Sequence, residues 1–496
     1  MACTPNQETT LLMKYLEDSL QPLWMIKKSN LGGRGLYATQ TIEKGSLIFT
    51  NKPLVTAPRD DSVDQLFCSI CYKLCDSCSA CEKCSSITCS ENCKTSQQHQ
   101  LECNFITNNW KAKPDCGELT GVLKSAHMYL RFLLLVKHHK TILSILQTCS
   151  TKSHVEDIEK LCSVYVIPED QIQFLKFVHS IMKLNSFRIA NSPQNKKVSL
   201  RGLYPLSPFL NHSCTPNTRN VFREDYSMSV YAAKDIESGE EILTCYTGLL
   251  WCTPARRYQL FKTKEFWCKC ARCEDRTELG TNLSALKCFN KDCVGILLPK
   301  SPLNLNIEWS CDNCSSIFPA SKICTIQSVL GSIVGSLDLD GQFRLEPQLL
   351  ARLANFVPYT NHIFIDIRLR LAQRLGFTGL KLNGGSVYLC QLSESRLALK
   401  ESLSRGTLRT LAALGVGDAH LRGLLLYHLH AALAERARRS PDLFEDLKAE
   451  IESTIEQAYS ILQGDISAPP DLELRRRYLG PGCDKPQEER FFILDV

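Results

Sequence analysis

The chain has 496 residues, of which 44% are hydrophobic and 22% charged, with a formal net charge of +6. These proportions suit a globular protein of about three domains at roughly 150 residues each. The longest dense apolar run, Phe132 to Val136, is far too short to span a bilayer, and so mild a positive charge does not argue for nucleic-acid binding.

Met1 to Leu20 lacks a basic stretch followed by an apolar one, so the 26 cysteines are expected in a reducing compartment, cytosol or nucleus. The first patterned segment, Tyr37 to Thr50 (YATQTIEKGSLIFT), returns as Tyr231 to Thr244 (YAAKDIESGEEILT) with seven of fourteen positions identical. Each copy reads as a hairpin, in which a short strand, a turn at Gly45 or Gly239 and a second strand follow one another. One small β-domain assembled from two distant pieces accounts for both copies, with an insert from Arg59 to about Val198 between them.

The insert begins with eight potential metal ligands in 36 residues: Cys68, Cys71, Cys81, Cys84, Cys89, Cys93, His99 and Cys103. The spacing predicts two zinc sites, because each C-x2-C turn presents two thiolates to one tetrahedral ion and supplies folding energy that this polar segment lacks. A disulfide knot fits less well, since the segment holds nine cysteines, an odd number. Gly117 to Phe187 then shows helical periodicity at Leu130, Leu133, Leu134, and at Ile172, Leu175, Phe177, Val178 and Ile181.

After Tyr246 come Cys268, Cys270 and Cys273, three thiolates where a closed site needs four, and then Cys288, Cys293, Cys311 and Cys314, spaced like a zinc ribbon. From about Ser328 cysteines become rare and amphipathic helices are predicted at Ile363 to Leu375, capped by Gly376, and at Leu421 to Ala437 and Leu443 to Leu462. The Pro-rich, charged tail from Ser467 reads as loose or surface-bound.

Five motifs in order carry a family resemblance: GRGLYA at Gly33 to Ala38, NSF at Asn185 to Phe187, NHSCTPN at Asn211 to Asn217, GEEILTCY at Gly239 to Tyr246, and CKCARC at Cys268 to Cys273. Together they resemble the SET and MYND domain family of protein lysine methyltransferases, and the cysteines and helices beyond resemble its insect-type branch. The resemblance implies an α+β chain: a SET β-fold split by a MYND zinc module and a helical insert, then a post-SET zinc loop and a C-terminal TPR-like helical bundle. The expected divisions are 1–58 and 200–250 for SET segments, 59–110 for MYND, 111–199 for the insert, 251–280 for post-SET, 281–325 for the ribbon-like segment, 326–466 for the helices and 467–496 for the tail.

The implied cofactor is S-adenosylmethionine, held by Gly33, Arg34, Gly35, Asn185, Asn211, His212, Tyr246 and Phe266. His212 has a structural alternative, holding the crossing of the chain together. Tyr246 is the implied catalytic tyrosine, and Phe187 and Tyr246 form the implied lysine channel. Three or four structural zinc ions are implied, with Cys68, Cys71, Cys89 and Cys93 in one site, Cys81, Cys84, His99 and Cys103 in another, and Cys214 completing Cys268, Cys270 and Cys273. Cys75 and Cys78 stand as alternative ligands in the second site, because the five residues between Cys93 and His99 are fewer than relatives generally have. Two further departures are Lys264, where several relatives carry a second aromatic, and Gly32, where many carry a basic residue, which leaves Arg34 alone to meet a carboxylate.

The expected partners are lysine-bearing protein substrates, histone or otherwise, and proline-rich peptides at the MYND module, whose other reading is purely structural. No membrane or direct nucleic-acid contact is expected, and the protein is expected as a monomer in nucleus and cytoplasm. The competing class is a non-catalytic SET-MYND adaptor that recruits partners in transcriptional regulation.

Overall fold

Strands β1 (Trp24–Lys28) and β2 (Arg34–Ala38) form an antiparallel ribbon in which Trp24 faces Ala38 and Lys28 faces Arg34. The computed structural model describes residues 5–15, 22–59, 65–75, 78–113, 119–146, 148, 156–190, 197–335, 347–376, 381–382, 385–386, 388–491 and 494. Strand β3 (Leu47–Asn51) pairs elsewhere, with β9 (Met228–Ala232), and β4 (Val55–Pro58) closes the segment before the insert. After the insert, β5 (Phe187–Ile189) and β6 (Leu200–Leu203) join β4 in the order β4-β6-β5, while β8 (Thr218–Phe222) extends β9 and β3 in the order β8-β9-β3.

The repeated segments are therefore not two self-contained hairpins. They pair with each other, and reciprocally: Tyr37 bridges Glu241 while the equivalent Tyr231 faces Leu47, and Ile42 bridges its own counterpart Ile236. The backbone repeats the symmetry. The Gly45 N–H donates to the Ala232 carbonyl at 2.9 Å and the Gly239 N–H to the Ala38 carbonyl at 2.9 Å, and both glycines hold positive φ (87° and 82°) that a side chain would strain. Ile42, Ile236 and Ile242 are buried in the centre of this arrangement.

Strand β7 (Asn211–His212) runs parallel to β10 (Leu243–Thr244), so the NHSC segment crosses beside the second repeat. Asn217 fastens the crossing, for its Oδ1 accepts from the Leu243 N–H at 2.7 Å and its Nδ2 donates to the Glu241 carbonyl at 2.9 Å. Both groups are buried and paired, the condition under which polar atoms belong in a core.

Within the insert, Ser96 caps the helix Gln97–Asn109, which sets His99 and Cys103 one turn apart on one face. Arg131, on the helix Leu119–Ile145, docks this module by donating to Glu102 at 2.7 Å, the Ser69 carbonyl at 2.7 Å and the Thr56 carbonyl on β4 at 3.2 Å. The helices Glu156–Val164 and Glu169–Asn185 complete the insert, and Leu175, Val178 and Ile181 are buried as the periodicity requires, whereas Phe177 is exposed.

The C-terminal bundle comprises His362–Arg374, Glu394–Ala413, His420–Arg439 and Phe444–Leu462, each packed on its neighbour in sequence. The tail is more ordered than its composition suggests. Leu472–Leu479 is helical with Leu472 and Leu479 buried, and Asp471 accepts from the Tyr427 hydroxyl at 2.5 Å, so packing onto the bundle outweighs the Pro-rich sequence before it. Among the described residues no helix is long and apolar enough to cross a membrane.

Candidate active site

A cavity of about 570 Å³ opens where β7, the end of the helix Glu169–Asn185 and the CKCARC segment meet. Its size lies in the range of pockets that enclose small organic ligands. Asn185, Asn211, His212, Tyr246 and Phe266 line it, together with Asn30 to Gly32, Leu184, Pro208 and Lys264.

His212 is a brace. Its Nδ1 accepts the Tyr246 N–H at 3.0 Å, its Nε2 lies 3.3 Å from Cys214 Sγ, and burial pushes its pKa down to about 4, so the ring is neutral. Its ring packs 5.2 Å from Tyr246 and 6.0 Å from Phe266, giving the cavity an aromatic wall. The Tyr246 hydroxyl donates to the Leu210 carbonyl; burial, then the Glu241 carboxylate, push its pKa above the ordinary value, so it stays protonated at neutral pH.

The glycine motif does a different task from the expected one. A Cβ on Gly35 would lie 2.1 Å from Glu241 Oε1 and 2.9 Å from Asn211 Nδ2, so the missing side chain admits those groups rather than a ligand. Asn211 Nδ2 donates to the Arg34 carbonyl at 3.0 Å and to Glu241 Oε1 at 2.7 Å, which commits its amide nitrogen to the fold. Gly33 takes a left-handed turn (φ 64°) and does not line the cavity. The Arg34 guanidinium turns to Glu8 and the Ile145 carbonyl and lies 5.0 Å from the Phe209 ring centre, where it cannot meet a ligand carboxylate in the cavity. Phe187 packs edge-on against buried Tyr204 at 6.3 Å and likewise does not line the cavity.

Cys214, Cys268, Cys270 and Cys273 bring their sulfurs within 4.8 Å of one another beside this wall. Cys214 lies 3.9 Å from Cys268 and 3.5 Å from Cys273; a tetrahedral ion at about 2.3 Å from each sulfur requires separations near 3.8 Å. The donor set fits zinc. Arg256 donates to Cys214 Sγ at 3.1 Å and to Cys273 Sγ at 3.5 Å, and both Arg256 and Arg272 pair with Glu278 at 2.7 and 3.3 Å, all three fully buried. Four thiolates leave a divalent site with excess negative charge, and Arg256 offsets it. Sequence alone did not expose this triad, because nothing local marks Glu278 as the partner of Arg256 and Arg272.

Three more quartets have the same geometry: Cys68, Cys71, Cys89 and Cys93; Cys81, Cys84, His99 and Cys103; and Cys288, Cys293, Cys311 and Cys314. Cys75 and Cys78 are bonded to each other and belong to no quartet, so the second site is complete without them.

Residues 33–247 match the SET domain family. The chain is 30% identical to the SET domain-containing protein SmydA-8, isoform A, of Drosophila melanogaster, over 75% of this chain and 83% of that protein. It is 29% identical to the histone-lysine N-methyltransferase SMYD3 of Mus musculus, over 56% of this chain and 67% of that protein. To the N-lysine methyltransferase SMYD2-A of Xenopus laevis it is 26% identical, over 51% of this chain and 61% of that protein. With a SET core around a crossing that shares its thiolates with the CKCARC loop, the chain belongs to the SMYD family of SET-domain methyltransferases.

Proposed function

We propose that the protein transfers a methyl group from S-adenosylmethionine to the side-chain amine of lysine in protein substrates, and that zinc occupies the four quartets. The observation that carries this reading is the cavity in which Asn185, Asn211, His212, Tyr246 and Phe266 meet beside the Cys214 quartet. When bound, S-adenosylmethionine supplies a methyl group on a positively charged sulfur.

The remaining chemistry falls to the chain. A lysine with an ordinary pKa of about 10.4 is protonated at neutral pH, and burial against Tyr246 and the aromatic wall favours loss of that proton. The Tyr246 hydroxyl, held protonated, orients the amine rather than taking its proton. His212 ties the Tyr246 backbone to Cys214, so the ion-binding loop sets the position of the tyrosine. Phe266 and the neutral His212 ring offer stacking surface for an adenine. In the same reading the protein is a monomer of nucleus and cytoplasm, and the module at 59–110 takes proline-rich peptides.

Calorimetry of metal-replete protein with S-adenosylmethionine tests the reading: binding is expected, and no binding leaves only the adaptor. Tyr246→Phe should lower turnover about a hundredfold while costing no more than about 1–3 kcal/mol of stability for the bond lost at the Leu210 carbonyl. Full turnover in that variant refutes the role given to Tyr246.

A further inference from the structure

Lys264 is the last residue of the helix Thr253–Lys264, and its place at the cavity is fixed by how that helix ends. Glu265 adopts a left-handed backbone (φ 61°) and returns its N–H to the Phe261 carbonyl at 3.1 Å. The Glu265 carboxylate pairs with Lys183 at 3.1 Å and so serves a different lysine. The Lys264 amine donates to the Leu184 carbonyl at 2.6 Å and stands 5.5 Å from the centre of the Tyr246 ring. Burial pushes its pKa down to about 8, which brings the neutral amine within reach at physiological pH. A carbonyl orients such an amine without stabilising its charge as a carboxylate would.

Resting on the function proposed above, we infer that Lys264 is an intramolecular methyl acceptor, and that the chain methylates its own Lys264 within the cavity lined by Tyr246. The Nζ lone pair forms a bond to the methyl carbon while the carbon–sulfur bond breaks with its electrons staying on sulfur. S-adenosylmethionine becomes S-adenosylhomocysteine, the positive charge passes to the methylated amine, and its proton goes to water. No further reactant enters. An amine already anchored beside the tyrosine has no encounter to await, which is the advantage of an intramolecular acceptor. The methyl group adds bulk at the Tyr246 ring, so the modification alters the space left for a substrate lysine.

The test uses the full, metal-replete chain, S-adenosylmethionine carrying an isotopically labelled methyl group, and peptide mass spectrometry. The label is expected on Lys264 at a rate per molecule that does not change on dilution, with complete loss in Lys264→Arg. A second measurement needs no turnover: S-adenosylhomocysteine should shield Lys264, but not exposed Lys262, from acetylation by acetic anhydride. A protein that binds S-adenosylmethionine by calorimetry yet leaves Lys264 unlabelled overturns the inference while sparing the proposed function. A rate that scales with protein concentration, or acetylation of Lys264 unaffected by S-adenosylhomocysteine, also overturns it. A protein that binds no S-adenosylmethionine overturns both readings at once.

Discussion

The Cys214 quartet and the Cys288 quartet present the same four thiolates in opposite surroundings. In the first, Cys214, Cys268 and Cys273 are buried and Arg256 donates directly to two sulfurs. In the second, Cys314 is exposed and the sulfurs meet neutral donors, with Asn290 Nδ2 3.3 Å from Cys314 and the Asn313 N–H 3.4 Å from Cys311. Water screens charge at the surface, whereas a buried thiolate cluster needs a built-in cation. The buried cluster also draws its sulfurs from two distant segments, so an ion held there would join the crossing to the cavity wall, while all four sulfurs of the other cluster lie within Cys288 to Cys314.

Cys214→Ser should break the contrast most severely. With structural zinc sites contributing about 10 kcal/mol or more to folding, the variant should lose one ion per chain and all calorimetric binding of S-adenosylmethionine. Retained binding would detach the cavity from the quartet. Arg256→Met comes next, because it leaves Glu278 one arginine short in a dry site and should cost about 3–5 kcal/mol in thermal or denaturant unfolding. An undiminished melting temperature would mean that the thiolates need no internal cation. Cys314→Ser should have the smallest effect: the ribbon ion is lost by metal analysis, yet affinity for S-adenosylmethionine stays within about 0.5 kcal/mol of the parent, as expected for a change outside the binding site. A larger change would show that the two clusters are coupled.

Thiolate spacing was the most legible part of the sequence, because two cysteines on one turn can reach one ion and the loop between turns matters little. The repeat was visible as well, but its pairing was not. A strand, glycine and strand in succession imitate a hairpin, and only the fold reveals that Tyr37 finds Glu241 and that Tyr231 finds Leu47. The glycines of GRG signalled a close approach without naming what approaches, and the neighbour at Gly35 is Glu241. The Arg34 pairing is invisible in sequence because Glu8, its ion-pair partner, lies in a segment with no motif of its own. Lys264 stood out in sequence only as a departure; the αL cap at Glu265 that sets it beside Tyr246 has no sequence signature, since it is a left-handed residue that is not glycine.

Leu200 faces Pro58 across β6 and β4 and Ile189 across β6 and β5, so the chain leaves this sheet from one edge strand and first returns to it at the other. The stretch between the two edges, from Pro58 to Phe187, adds no strand to this sheet, and it is there that an inserted domain is tolerated. The cysteine-rich module is thus a cassette latched by Arg131 of a neighbouring insert helix, which ties Ser69 to Thr56 of β4, whereas the helix Glu169–Asn185 is bound to the sheet's own task because Leu184 and Asn185 line the cavity.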